Sequence, residues 1–141
     1  MTSREITRQL GEIDPADCFE ERLAELADTW LSSGVGTECV RPVLAFMEDH
    51  PDLDFGSPGP LVHFVERFYG PEYVDELTKS VQRAPTSVTV WMLNRVINGT
   101  SASEDRQRLI GALSQVKSNS LAHPDARDLA GEFLVRLSGL P

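Results

Sequence analysis

The stretch Pro85-Thr-Ser-Val-Thr-Val-Trp-Met-Leu-Asn-Arg-Val-Ile-Asn98 is the most apolar window of the chain, and it predicts a central, buried helix that its neighbours pack all round. Pro85 cannot continue a preceding helix, and the Thr86 side chain can accept a hydrogen bond from the backbone N–H groups that follow it, as an N-cap does. Asn98 and Gly99 tolerate the left-handed conformation that closes a helix. Because the segment between cap and stop is long for a strand, its β-branched residues do not override the helical interpretation.

Three polar side chains, Glu66, Asn94 and Arg95, are predicted to form a structural polar core. Within the central helix, Asn94 is expected to cap a neighbouring loop. Arg95 is expected to meet a buried carboxylate, since an unpaired charge there would be costly. The alternative is that one end of this helix reaches a binding surface.

Apolar side chains at helical spacing recur along the whole chain, whereas strand signals are nearly absent. Asp14 followed by Pro15 is predicted to begin a second helix that runs to about Ser32, because proline is preorganised for the first helical position. The sequence predicts an all-α fold of seven or eight short helices in a compact antiparallel helical-hairpin array, similar to HEAT repeats. A single domain over residues 1–141 is expected from the length.

The composition is that of a globular protein, with 40% hydrophobic and 25% charged residues. No apolar run is long enough to cross a bilayer, and the first residues lack the apolar core of a signal peptide, so a cytoplasmic location without membrane contact is expected. Cys18 and Cys39 belong to no C-x-x-C pair, and the three histidines are far apart in sequence. Neither a metal site nor a cofactor is therefore predicted.

The net charge of −9 is unevenly distributed. Residues 1–55 carry thirteen Asp or Glu against four Arg, so this first third accounts for the whole excess. Such an asymmetry favours a basic protein partner and argues against nucleic acid, whose phosphates would be repelled. The alternative is that the acidity only keeps the protein soluble.

The segment from Glu48 to Pro60 is the longest predicted loop, and its acids and prolines make it a candidate binding element. Its carboxylates would supply charge, and His50 or Phe55 would supply a buried anchor of the kind that interface hot spots need. The predicted partner-binding residues are Glu48, Asp49, His50, Asp52, Asp54 and Phe55, with Glu20, Glu21, Glu25 and Asp28 in reserve on the second helix.

Enzyme motifs are absent from the sequence, which contains no G-x-S-x-G, phosphate-binding glycine loop, H-E-x-x-H or dinucleotide fingerprint. His63 and Glu66 lie three residues apart and can touch on one helix face, as a general base and its partner would. With no nucleophile or metal ligand beside them, a surface pair or a structural hydrogen bond is the better interpretation. The protein is expected not to be an enzyme.

Several apolar and polar residues give the chain a resemblance to a known family. They are Gly59-Pro60-Leu61-Val62-His63-Phe64-Val65-Glu66, Leu77, Ser80, Arg83, Pro85-Thr86 and Thr89-Val90-Trp91-Met92-Leu93-Asn94-Arg95. This pattern resembles small bacterial immunity proteins that are encoded beside polymorphic or contact-dependent growth inhibition toxins. It covers Ser57 to Thr100 and leaves out the acidic first third and the last helices.

The resemblance implies that the protein binds and neutralises a cognate toxin, and immunity proteins against nucleases are often acidic. Tight one-to-one occlusion of a toxin with a basic surface, by a monomer, is the expected mechanism. Two other classes stay open. One is a helical adaptor that binds a cellular protein, and the other is a small enzyme or ligand-binding domain with a pocket near His63, Glu66 and Arg95.

Overall fold

The computed structural model describes residues 1–139, so the last two residues of the predicted domain lie outside it. Helices hold 71% of the residues, and the described chain contains no strand, which confirms the predicted all-α class. None of its helices is both long and apolar enough to span a membrane. The helices are α1 (Ser3–Gly11), α2 (Phe19–Ser32), α3 (Val40–Asp49), α4 (Pro60–Glu66), α5 (Pro71–Arg83), α6 (Ser87–Asn98), α7 (Ser103–Ser118) and α8 (Pro124–Leu137), with a 3-10 turn at Thr37–Cys39.

The chain separates into two compact units, Met1–Glu76 and Leu77–Pro141, with the boundary inside α5. We call them the N-terminal and C-terminal units. The N-terminal unit carries seventeen Asp or Glu and five Arg, a formal charge of −12, whereas the C-terminal unit carries five acids and eight Lys or Arg, a charge of +3. The acidity therefore belongs to one folded unit, and a single domain over 1–141 stays a prediction.

The core of the N-terminal unit is built around Trp30, which is fully buried. Its ring packs on Phe64 of α4 with the centroids 5.2 Å apart, and its indole N–H donates to the Gln9 side chain over 2.6 Å. Buried residues in α2 recur at Leu23, Ala27 and Trp30, a spacing that presents one helix face to α4. The indole thus fills the core while its polar atom is satisfied.

The predicted start of the second helix at Asp14 and Pro15 is wrong, because α2 begins at Phe19. The Asp14 carboxylate accepts a hydrogen bond from the backbone N–H of Ala16 over 2.9 Å, and the Asp14 carbonyl accepts from Asp17. These bonds stabilise a turn, and an aspartate that bonds its own backbone in this way competes with the helix. The helix ends at Ser32, as predicted.

The C-terminal unit contains the end of α5 and a hairpin of α7 and α8 with α6 packed on both of its helices. The prediction of Thr86 as the N-cap of α6 is confirmed, because its hydroxyl accepts from the Thr89 backbone N–H and the Thr89 hydroxyl accepts from Thr86 N–H. The helix ends at Asn98, as predicted. Gly99, however, has φ −92° and is not left-handed. The helix end closes without that conformation, because the N–H groups of Gly99 and Thr100 donate to carbonyls of the last turn.

The central helix is buried on one broad face only, which corrects the prediction that it is packed all round. Val90, Met92 and Leu93 are buried, whereas Trp91 is half-buried. Arg95 is exposed, and its guanidinium lies 5.0 Å from the centre of the Trp91 ring.

The assignment of Arg95 to a polar core is therefore wrong. The Trp91 ring stabilises the Arg95 guanidinium through a cation–π contact, and water solvates the charge at the surface. Asn94 and Glu66, the other two residues of the predicted polar core, are half-buried.

Candidate partner-binding surface

The loop between α3 and α4 is anchored to the N-terminal unit by Phe55, whose side chain is only 3% exposed. Its ring lies 5.9 Å from that of Phe19 at the start of α2 and 6.0 Å from that of Phe46 in α3. Edge and tilted ring contacts at these distances add to the stability that burial provides. The loop is thereby held against two helices.

Two glycines let the loop turn back on itself. Gly59 has φ +95°, and a Cβ atom on it would lie 1.7 Å from the carbonyl oxygen of Phe55. Gly56 has φ +113°, and its N–H donates to the Asp54 carboxylate over 2.9 Å. Only glycine fits both the backbone conformation and the close approach at residue 59.

The structure brings one reserve candidate on α2 to the predicted loop. An oxygen of the Glu20 carboxylate lies 2.9 Å from the point where a Gly56 side chain would begin. Glu20 and Asp54 thus flank the Phe19–Phe55 contact, each next to one of the two rings in sequence, and both are exposed. We call four exposed carboxylates the loop surface: Asp52 and Asp54 of the loop, Asp49 at the end of α3, and Glu20 in the first turn of α2.

The remaining acidic candidates lie on α2 and near the end of α3. Glu21, Glu25 and Asp28 are exposed and share a stripe along α2 by their helical spacing. Glu48 is half-buried near the end of α3.

Both predicted anchors are engaged in the fold. Phe55 is a core residue of this structure, so its ring is not available as an exposed anchor, which corrects that assignment. His50 is half-buried, its ring lies 4.3 Å from that of Phe46, and its Nδ1–H donates to the Phe46 carbonyl over 2.8 Å. The imidazole thereby satisfies one of the orphan carbonyls at the end of α3.

The N-terminal unit has a second acidic feature that the sequence analysis does not predict. It is a groove of about 590 Å³ between α1, the 3-10 turn, α3 and the first turns of α5. We call it the α5 groove. Its charged residues are four carboxylates and a single cation, Arg41, and its full lining is Ser3, Thr7, Thr37, Glu38, Arg41, Pro42, Ala45, Glu72, Asp75 and Glu76.

Hydrogen bonds fix two of the groove carboxylates in place. Glu38 accepts from the backbone N–H of Gly36 over 3.1 Å, and hydrogen bonds from its own N–H and from Gly36 lower the pKa of its carboxyl group. Glu72 accepts from the Thr37 hydroxyl over 2.6 Å. All of these donors are neutral, so they orient the carboxylates without neutralising them, and the N-terminal ammonium group also attracts the Glu38 carboxylate.

The sequence contained a partial signal for this groove. Glu72, Asp75 and Glu76 follow the i, i+3, i+4 spacing that places side chains on one helix face. Charge counted along the chain assigns them to a neutral middle third, and only folding brings them to the acidic unit. The contribution of Glu38 from a distant turn has no sequence signal.

A second groove, of about 560 Å³, lies between the end of α1 and α2 and serves as a comparison. Its lining also carries four carboxylates, Glu12, Asp14, Asp17 and Glu25, and one cation, Arg22. Glu12 pairs with Arg8 at 2.9 Å and Asp17 pairs with Arg22 at 2.8 Å. Two of the four carboxylates of this second groove are therefore paired with an arginine.

Within residues 1–139, no group of three or more His, Cys, Asp or Glu side chains is placed to hold a metal ion. His63 is exposed on α4 and Glu66 is half-buried, and neither lines the two grooves described above. No family model, curated protein or solved structure matches the chain significantly.

Proposed function

We propose that this chain is an immunity protein, which binds a bacterial toxin in the cytoplasm of the producing cell and neutralises it by occlusion. The observation that carries the proposal is the formal charge of −12 on the N-terminal unit, against +3 on the C-terminal unit. The family resemblance of residues 57–100 supports the same function.

An acidic surface can inhibit such a toxin by competing for its basic cleft and by electrostatic steering. A toxin that acts on nucleic acid needs a basic cleft to hold phosphates, and an acidic surface of matching shape competes for that cleft. Opposite charges also steer the two proteins together and raise the association rate, which matters when a toxin must be captured quickly.

The loop surface is suited to this role because its carboxylates are exposed while its backbone is fixed. Phe55 is buried against Phe19 and Phe46, and the Asp54 carboxylate accepts from Gly56 N–H. A surface that is already ordered loses little conformational entropy when a partner binds. Glu20, Asp49 and Asp52 would supply the remaining charge.

The test begins with a pull-down of the tagged protein against the product of the adjacent upstream gene, followed by titration calorimetry at ~50 and ~300 mM salt. We expect a one-to-one complex with nanomolar affinity that weakens at the higher salt concentration and abolishes the toxic activity.

An interaction that leaves the toxic activity intact would overturn the immunity proposal. So would the absence of any interaction with the adjacent product. A cellular partner bound with little salt dependence would instead favour the helical adaptor, because apolar contacts respond weakly to ionic screening.

A further inference from the structure

We draw no further inference here: the strongest candidate, the surface patch on α6 where the Arg95 guanidinium stacks on the half-buried Trp91 ring, carries none because nothing in the structure shows what covers it.

Discussion

Phe19 and Phe55 pack with their ring centroids 5.9 Å apart, although they are far apart in sequence, and this contact fixes the loop after α3 on the first turn of α2. Glu20 and Asp54, which adjoin these two residues in sequence, are both exposed. A buried aromatic pair thus sets the position of exposed charges. The core of the N-terminal unit and its candidate binding surface are coupled at this point.

Substitution of Phe55→Ala should lower the free energy of unfolding by about 3–4 kcal/mol, since the buried ring leaves a cavity between Phe19 and Phe46. Urea denaturation followed by tryptophan fluorescence measures the change. Tyr69→Ala is the control, because Tyr69 is 58% exposed and should cost less than about 1 kcal/mol. Similar losses in the two variants would contradict the anchoring role of Phe55.

Gly59→Ala should destabilise the N-terminal unit by at least about 2 kcal/mol, because residue 59 has φ +95° and the added methyl group would collide with the Phe55 carbonyl. Gly11→Ala is the matched substitution. Gly11 ends α1 with no atom within 4 Å of the added carbon, so it should be neutral or slightly stabilising. Thermal denaturation distinguishes the two, and a stable Gly59→Ala protein would refute the loop geometry.

The all-α fold was predictable because helix signals are local. The Thr86 cap and the apolar spacing of Leu23, Ala27 and Trp30 both lie within a few residues. Helix starts are harder to predict where side-chain hydrogen bonds compete with the helix, as the turn at Asp14 shows. The prediction for Arg95 is wrong because it assumes an apolar helix covered on every side, whereas α6 is buried on one face only.

The candidate surfaces were less predictable, since they combine residues from separate elements. The acidic loop is visible in the sequence, but nothing local shows that Phe55 is buried or that Glu20 reaches Gly56. The α5 groove joins Glu38 to Glu72 through tertiary packing. Pairings of this kind require knowledge of which helices touch.

Thr86→Ala should lower the free energy of unfolding of the C-terminal unit by about 1–2 kcal/mol, because it removes the acceptor for Thr89 N–H at a site that is 2% exposed. Thr86→Ser keeps the hydroxyl and should recover most of the loss. Hydrogen exchange of the amides in the first turn of α6 reports on the cap directly. If the serine variant is as unstable as the alanine variant, the methyl group and not the hydrogen bond stabilises this helix start.

Stability should fall in alkaline solution because of Cys39. Burial raises the pKa of this thiol from 9.0 to about 12. The unfolded thiol loses its proton above pH 9 while the folded thiol keeps it. Between pH 9 and 12 the free energy of unfolding should therefore decrease by up to about 1.4 kcal/mol per pH unit.

The measurement is urea denaturation between pH 8.5 and 10.5, in which Cys39→Ala should reduce this slope. Cys18→Ala, at an exposed site, should leave the slope unchanged. Parallel slopes for the parent protein and Cys39→Ala would show that the buried thiol does not control the alkaline loss.

The role of the loop surface is tested by reversing two charges, Asp49→Lys/Asp52→Lys, and measuring association with the toxin by stopped flow. Asp54 is left unchanged because its carboxylate accepts from Gly56 N–H and supports the loop. At ~20 mM salt the association rate should fall at least about tenfold, since steering depends on the local field, and the difference should shrink at high salt.

The control reverses two exposed acids of the C-terminal unit, Asp128→Lys/Glu132→Lys, which changes the net charge by the same amount. If charge near the interface governs steering, this control should associate at close to the parent rate. Equal slowing in the two variants would mean that total charge alone sets the rate. Unchanged rates in both would remove the loop surface from the mechanism, because a carboxylate in or beside a steered interface cannot be reversed without a kinetic cost at low salt.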